Sequence, residues 1–238
     1  MFFIKKKKEF SYDRFIKKAE GFDAFELKKY EELAEHLKQN KKEIQPKKFG
    51  LKLIVISDTH GYLAFDRSRL PSFLDTAGEY DLCIILGDID PYDAEEIARF
   101  IPEEKILAVR GNHDSFGVYE NIGIKEMSGK TFEYRGVTFA AIEGSFKYKE
   151  KTFPSFTQYE SLKRFGTLAP CDILITHDCA FECDKTDIAH AGLIGITDYI
   201  CRKAPSLHIH GHLHKSFVKS YENGTVEKCV YLCECFEI

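Results

Sequence analysis

From Leu51 onward the chain alternates short apolar runs, rich in Val, Ile and Leu, with stretches of helical spacing. Leu51–Ile56, Leu82–Leu86, Ile106–Val109, Ile173–Thr176 and Leu207–Ile209 read as strands, too short and too β-branched for helices. Between them, Arg67–Thr76, Ala94–Phe100, Thr157–Phe165 and Ile196–Lys203 fit helices. Strand, helix, strand, helix, strand is the order of a layered α/β domain. The pattern turns antiparallel twice. Thr131–Tyr134 and Val137–Ile142 flank Arg135-Gly136, and Phe217–Tyr221 and Val226–Cys235 flank Asn223-Gly224, a strong hairpin signal. The expectation is a large mixed β core with helices on both sides. No internal repeat is present.

The first 50 residues follow a different rule. Residues 9–45 read as helical. Ser11 caps a segment Tyr12–Glu20 that Gly21 ends, and Phe22, Phe25, Tyr30, Leu33 and Leu37 fall near one stripe. Pro46 and Gly50 mark a boundary. This predicts a basic helical extension over 1–50 and a main domain over 51–238. Charge separates the same two segments. Residues 1–50 carry 14 Lys+Arg against 9 Asp+Glu, a net of +5, and residues 51–238 carry 20 against 29, a net of −9; together they make the overall −4. Acids interleave with the lysines of the arm, which favours a solvated amphipathic helix, packed on the domain or joining copies into a homo-oligomer, over a nucleic-acid track.

At 238 residues the chain can bury one sizeable core. Met1-Phe2-Phe3-Ile4 before Lys5 is too short an apolar run for a signal peptide, and no stretch reaches the roughly 18 apolar residues of a membrane span. The reading is a cytoplasmic protein with no membrane partner. Its eight cysteines show no C-x-x-C pair and read as reduced thiols. Cys229, Cys233 and Cys235 alternate with Tyr231 along the last predicted strand, a face of small apolar thiols in preference to a third metal site.

The chemistry lies in five short motifs in a fixed order: Asp58-Thr59-His60, Gly87-Asp88, Gly111-Asn112-His113-Asp114, Thr176-His177-Asp178 and Gly211-His212-Leu213-His214. Each follows a predicted strand, Gly87 and His177 directly and the other three motifs with one residue between, Ser57, Arg110 and His210. Carboxylates, an amide and imidazoles without thiolate suit a pair of hard or borderline divalent ions. Asp58 and His60, two apart on an extended strand end, point the same way. Asp88 has two oxygens with which to bridge, and Asn112 offers a neutral carbonyl oxygen. His208 and His210, which alternate on the strand before Gly211, read as core or supporting residues.

The ordered set D-x-H, G-D, G-N-H, H and G-H-x-H resembles the calcineurin-like metallophosphoesterase superfamily, its small bacterial phosphoesterases in particular. The match runs from Leu51 to near the carboxy terminus. The resemblance implies a four-layer α/β/β/α sandwich of mixed sheets with a dinuclear site at the strand ends. It implies that one ion takes Asp58, His60 and His214, that the other takes Asn112, His177 and His212, and that Asp88 bridges them. The ions would be Mn²⁺, Fe or Zn²⁺. His113 corresponds to the family's non-ligand histidine, placed to stabilise the phosphorane or protonate the leaving alkoxide. Catalysis would thus rest on His113 and Asp88, with Asn112 at the substrate.

There are departures. Family phosphoprotein phosphatases extend G-D to G-D-x-x-D-R, whereas this chain reads Gly87-Asp88-Ile89-Asp90-Pro91-Tyr92-Asp93. The arginine is missing and Pro91 stands where the His-orienting aspartate would be, which argues against a protein phosphatase. Asp90, Asp93 and Asp114 are candidates to orient His113. The segment Asp187–Gly192 is similar to one before the last helix of small family members, where His190 would reach the substrate phosphate; the other reading is a solvent-exposed loop histidine. Ser145–Tyr159 mixes aromatics with lysines and fits either a basic rim over the metals or a surface loop burying some aromatics. The expected function is hydrolysis of a small phosphomonoester or phosphodiester by direct attack of a metal-bound hydroxide. Alternatives are a nuclease of the same superfamily using the basic arm, and a non-catalytic metal-bound scaffold.

Overall fold

A computed structural model of the chain describes Lys28 and residues 47–149, 152–181 and 187–238. The helical reading of residues 9–45 lies outside the described residues. Twelve strands follow: β1 (Lys52–Ser57), β2 (Leu82–Ile85), β3 (Ile106–Ala108), β4 (Lys130–Tyr134), β5 (Val137–Ile142), β6 (Ser145–Phe146), β7 (Ser155–Phe156), β8 (Ile173–Thr176), β9 (Leu207–His210), β10 (Phe217–Ser220), β11 (Val226–Cys229) and β12 (Leu232–Glu237). The helices are α1 (Tyr62–Phe65), α2 (Arg69–Ala77), α3 (Pro91–Phe100), α4 (Gln158–Thr167) and α5 (Ile194–Lys203). Among the described residues none is long and apolar enough to cross a membrane.

Two sheets form the centre. One has the order β12-β1-β2-β3, and the other β10-β11-β9-β8-β5-β4. β1, β2 and β3 run parallel, as do β5, β8, β9 and β11, while β12, β4 and β10 close edges antiparallel. The alternation within β1 explains the layering. Leu53 and Val55 face inward and meet Phe139, Ile173, Ile175 and Ile209 of the second sheet. Ile54 and Ile56 face outward and meet Leu70 of α2 and Ala94 and Ile97 of α3. The second sheet repeats this, its Ala140, Ile142 and Leu174 packing on Phe165 of α4 and Tyr199 and Ile200 of α5. The result is the four-layer α/β/β/α arrangement. Each fully buried Leu or Ile adds roughly 1.5–3 kcal/mol by leaving water.

Local signals set the helix starts. Asp90 caps α3 by accepting from the Tyr92 amide at 2.9 Å, with Pro91 in the first helical position, so the helix begins three residues before the predicted Ala94. Thr157 and Glu160 form a capping box at α4, with bonds of 3.2 and 2.9 Å.

The predicted strand Val226–Cys235 is a correction. It is two strands in two different sheets, β11 and β12, with Leu232 at φ 62° where the chain changes sheet. Cys229 therefore belongs to the second sheet and Cys233 and Cys235 to the first, so the three thiols do not share a face. Asn223-Gly224 is likewise not a two-residue turn. Glu222, Asn223 and Gly224 form a three-residue loop, closed by a Tyr221 amide donating to Thr225 O at 2.9 Å, with Gly224 at φ 92°. The two-residue turn holds at Arg135-Gly136, both at positive φ.

Candidate metal centre

The five motifs meet beyond the carboxyl ends of the parallel strands, where open α/β sheets place their ligand sites. Asp58 and His60 follow β1, Asp88 follows β2, Asn112 follows β3, His177 follows β8, and His212 and His214 follow β9. The side chains gather into two groups, Asp58 with His60 and His214, and Asp88 with His177 and His212. Each group draws on both sheets. Asp88 Oδ2 lies 3.8 Å from His60 Nε2 and 3.6 Å from His177 Nε2, and so faces both groups. Asn112 joins the second, its Oδ1 3.2 Å from His177 Nε2.

The donor set fits cations. His177 Nδ1 meets the carbonyl of Leu86 at 2.8 Å and must donate to it, which leaves the Nε2 lone pair facing two oxygens. Burial disfavours charge on His177, but Asp88 and Asp58 raise its pKa, so this spot attracts positive charge. His212 Nε2 donates to Ala189 O at 2.9 Å, which leaves Nδ1 for a ligand, and burial lowers its pKa to about 4, keeping the ring neutral. Asp58 Oδ2 accepts from Ser57 Oγ and the His212 amide, whereas its buried Oδ1 has no hydrogen-bond partner. Burial works against ionised Asp88, yet His177 and the His113 amide hold its pKa below the usual carboxylate range.

Backbone strain marks the same residues. Eight described non-glycine residues have positive φ, and five of them are Asp58, His60, Asp88, His212 and His214. Each such conformation costs of order 1–3 kcal/mol, and such strain concentrates at working sites. The motif glycines are required by space. A Cβ on Gly87 would lie 2.1 Å from the Gly111 nitrogen, and one on Gly211 would lie 1.9 Å from Ser57 Oγ.

Residues 51–231 match the calcineurin-like phosphoesterase superfamily domain. The chain belongs to the calcineurin-like phosphoesterase superfamily. Among solved structures, TT1561 of Thermus thermophilus shares the fold, superposing with a TM-score of 0.58 at 12% identity over 79% of this chain and 99% of that one. A dimetal phosphatase from Danio rerio gives 0.46 at 11% identity over 82% and 93%, and a 5'-nucleotidase from Candida albicans gives 0.44 at 14% over 79% and 47%. No curated protein sequence matches.

Within this calcineurin-like phosphoesterase, none of the three aspartates named for orienting His113 bonds its ring. Asp90 caps α3. Asp93 accepts from the Gly61 and Ala64 amides at 2.8 and 2.6 Å, holding the turn after Asp58-Thr59-His60. Asp114 accepts from the amides of Asp88, Ile89 and Gly111 at 3.0, 2.7 and 2.7 Å, tying two motif loops together. Burial and the Asp88 charge raise the Asp114 pKa to about 7. His113 is exposed, its ring 5.9 Å edge-on from His60. His190 sits beside the second group, 4.9 Å from the His212 ring, with Nδ1 2.8 Å from Asp187 Oδ2. Ser145–Tyr159 combines both readings: Phe146 and Phe156 are buried in the β6–β7 ribbon, while Phe153 and Tyr159 stay exposed.

Sequence reasoning missed Asp93 and Asp114 as anchors, and missed Glu227 altogether. Glu227, fully buried, sits 2.8 Å from His210 Nε2, 3.2 Å from Lys219 Nζ and 3.8 Å from His208 Nδ1, and accepts from the Tyr221 hydroxyl. His208 Nε2 is 2.8 Å from Thr176 Oγ1. The alternation of His208, His210, Glu227 and Cys229 was the available signal.

Proposed function

We propose that the chain hydrolyses a small phosphate ester, a monoester or diester, with two divalent cations (Mn²⁺, Fe or Zn²⁺) at this face. The observation that carries the reading is Asp88 Oδ2, which belongs to one three-residue group and lies within 3.8 Å of His60 in the other. Asp58, His60 and His214 would hold one cation; Asn112, His177 and His212 would hold the other; Asp88 would serve both. When bound, the pair supplies Lewis acidity, polarising a phosphoryl oxygen and easing the ionisation of an attacking water.

The residues of the chain do the arranging. His212 and His177 present lone pairs because carbonyls take their other ring protons. Asn112 Nδ2 is buried without a partner, a donor for a phosphate oxygen. Asp187 occupies Nδ1 of His190 and leaves Nε2 for the same purpose. His113 is exposed beside His60 and gives its ring proton to the departing alkoxide. A nuclease reading finds no matching support, since residues 51–238 carry a net of −9.

Reconstitution with Mn²⁺ tests the proposal. Elemental analysis should find two ions per chain, and p-nitrophenyl phosphate or bis-p-nitrophenyl phosphate should be cleaved. A protein holding both ions that cleaves neither ester overturns it.

A further inference from the structure

Two exposed aromatic rings lie on segments that adjoin Asn112 and His113. Phe116 is 84% exposed and Phe153 is 58% exposed. Both rest on one guanidinium: the Arg110 carbon lies 5.6 Å from the centre of the Phe116 ring and 5.4 Å from that of Phe153. Arg110 is itself locked, with Nε 3.1 Å from Glu126 Oε1 and a terminal nitrogen 2.8 Å from Glu143 Oε2. The base beneath the rings is therefore fixed. The platform is continuous with the site. The Phe153 amide donates to the carbonyl oxygen of Asn112 at 3.3 Å, and Phe116 follows His113 by three residues. Lys149 lies close enough to bear on His113 electrostatically.

In the proposed reaction His113 protonates the oxygen that leaves, so whatever is attached to that oxygen would extend toward the His113 side. We infer that Phe116 and Phe153 are a stacking platform for the leaving alcohol, and that the substrate is a phosphate ester whose alcohol carries a planar aromatic ring. The inference rests on the phosphoesterase reading and names the substrate class of that site. A planar ring suits the platform because it stacks on or edges against exposed phenyl faces, which an alkyl chain or a small polyol does not do.

Binding of non-hydrolysable analogues separates this inference from the reading beneath it. Phenylphosphonate, n-hexylphosphonate and methylphosphonate would be titrated calorimetrically into the full chain reconstituted with Mn²⁺. Phenylphosphonate should bind about tenfold more tightly than methylphosphonate, the gain expected of one good aromatic stack, and more tightly than n-hexylphosphonate. Phe116→Ala and Phe153→Ala should each shrink the phenyl-to-methyl ratio at least threefold, and Phe153→Trp should restore it. Equal affinity for phenyl and methyl, hexyl binding as tight as phenyl, or ratios unmoved in both alanine variants would overturn the platform. Phenyl phosphate and methyl phosphate are then offered as substrates. Discrimination in binding without cleavage of either ester supports the platform and sinks the phosphoesterase reading. Cleavage of both without discrimination in binding does the reverse.

Discussion

Four histidines alternate along Leu207–His214, and the structure divides them two and two. His208 and His210 lie on β9, fully buried, their rings stacked 5.1 Å apart. His212 and His214 lie just beyond, at φ 67° and 50°, and face the metal centre. The first pair has its partners inside the protein. Burial disfavours charge on His210, but Cys229 and Glu227 raise its pKa to about 10, whereas burial lowers His208 to about 4. One charged and one neutral imidazole thus join a buried network with Glu227 and Lys219, in which only His208 Nδ1 approaches Glu227 at 3.8 Å without a hydrogen bond. The second pair sits on strained backbone, and His212 presents the lone pair of Nδ1 to the site. The same residue type supports the fold in a regular strand and serves the site where the strand ends.

Three substitutions probe that division. Asp88→Asn removes the charge shared by both ligand groups, and turnover of p-nitrophenyl phosphate should fall by roughly a thousandfold; turnover near that of the unaltered chain would sink the bridging role. Glu227→Ala should lower stability by about 3–5 kcal/mol, because the buried His210 loses the carboxylate that pairs with it. Urea unfolding would read that loss. Two ions per chain should still bind below the transition, and loss of metal from the folded variant would mean that the two pairs are not separate. The smallest effect has the opposite sign. His60→Gly relieves a backbone at φ 43°, so in chelator it should stabilise the protein by about 0.5–1 kcal/mol while weakening metal binding. Destabilisation in chelator would show that the turn is not strained.

Much of this arrangement was legible from residue order alone. Apolar runs leading to Asp58, Asp88 and His177 announce strands that deliver polar groups to one edge, and a buried mixed β core follows from runs too apolar to face water; its division into two sheets came only from the family resemblance. What escaped depends on partners distant in sequence. Nothing local in Val226–Cys235 reveals a change of sheet at Leu232, because the apolar run Cys229–Cys233 passes through it without a break. Asp93 and Asp114 bind backbone amides, which leave no mark on composition. Alternation hinted at Glu227, but its partners come from β9, β10 and the turn after β10, and only strand pairing brings them together. The spatial role of Gly87 and Gly211 likewise depends on neighbours across a loop contact.

The pairing of β1 with β12, from Lys52↔Glu237 to Ser57↔Leu232, also governs when the protein can come together. β1 carries the first motif, yet its outer edge is covered by residues some 180 positions later. Its Asp58 meanwhile accepts from the amide of His212, 154 residues away. Closures this distant are entropically slow, so during synthesis the first sheet waits with an open edge. The metal face is accordingly among the last parts to form, and its full ligand set comes together only once the chain beyond His214 is available.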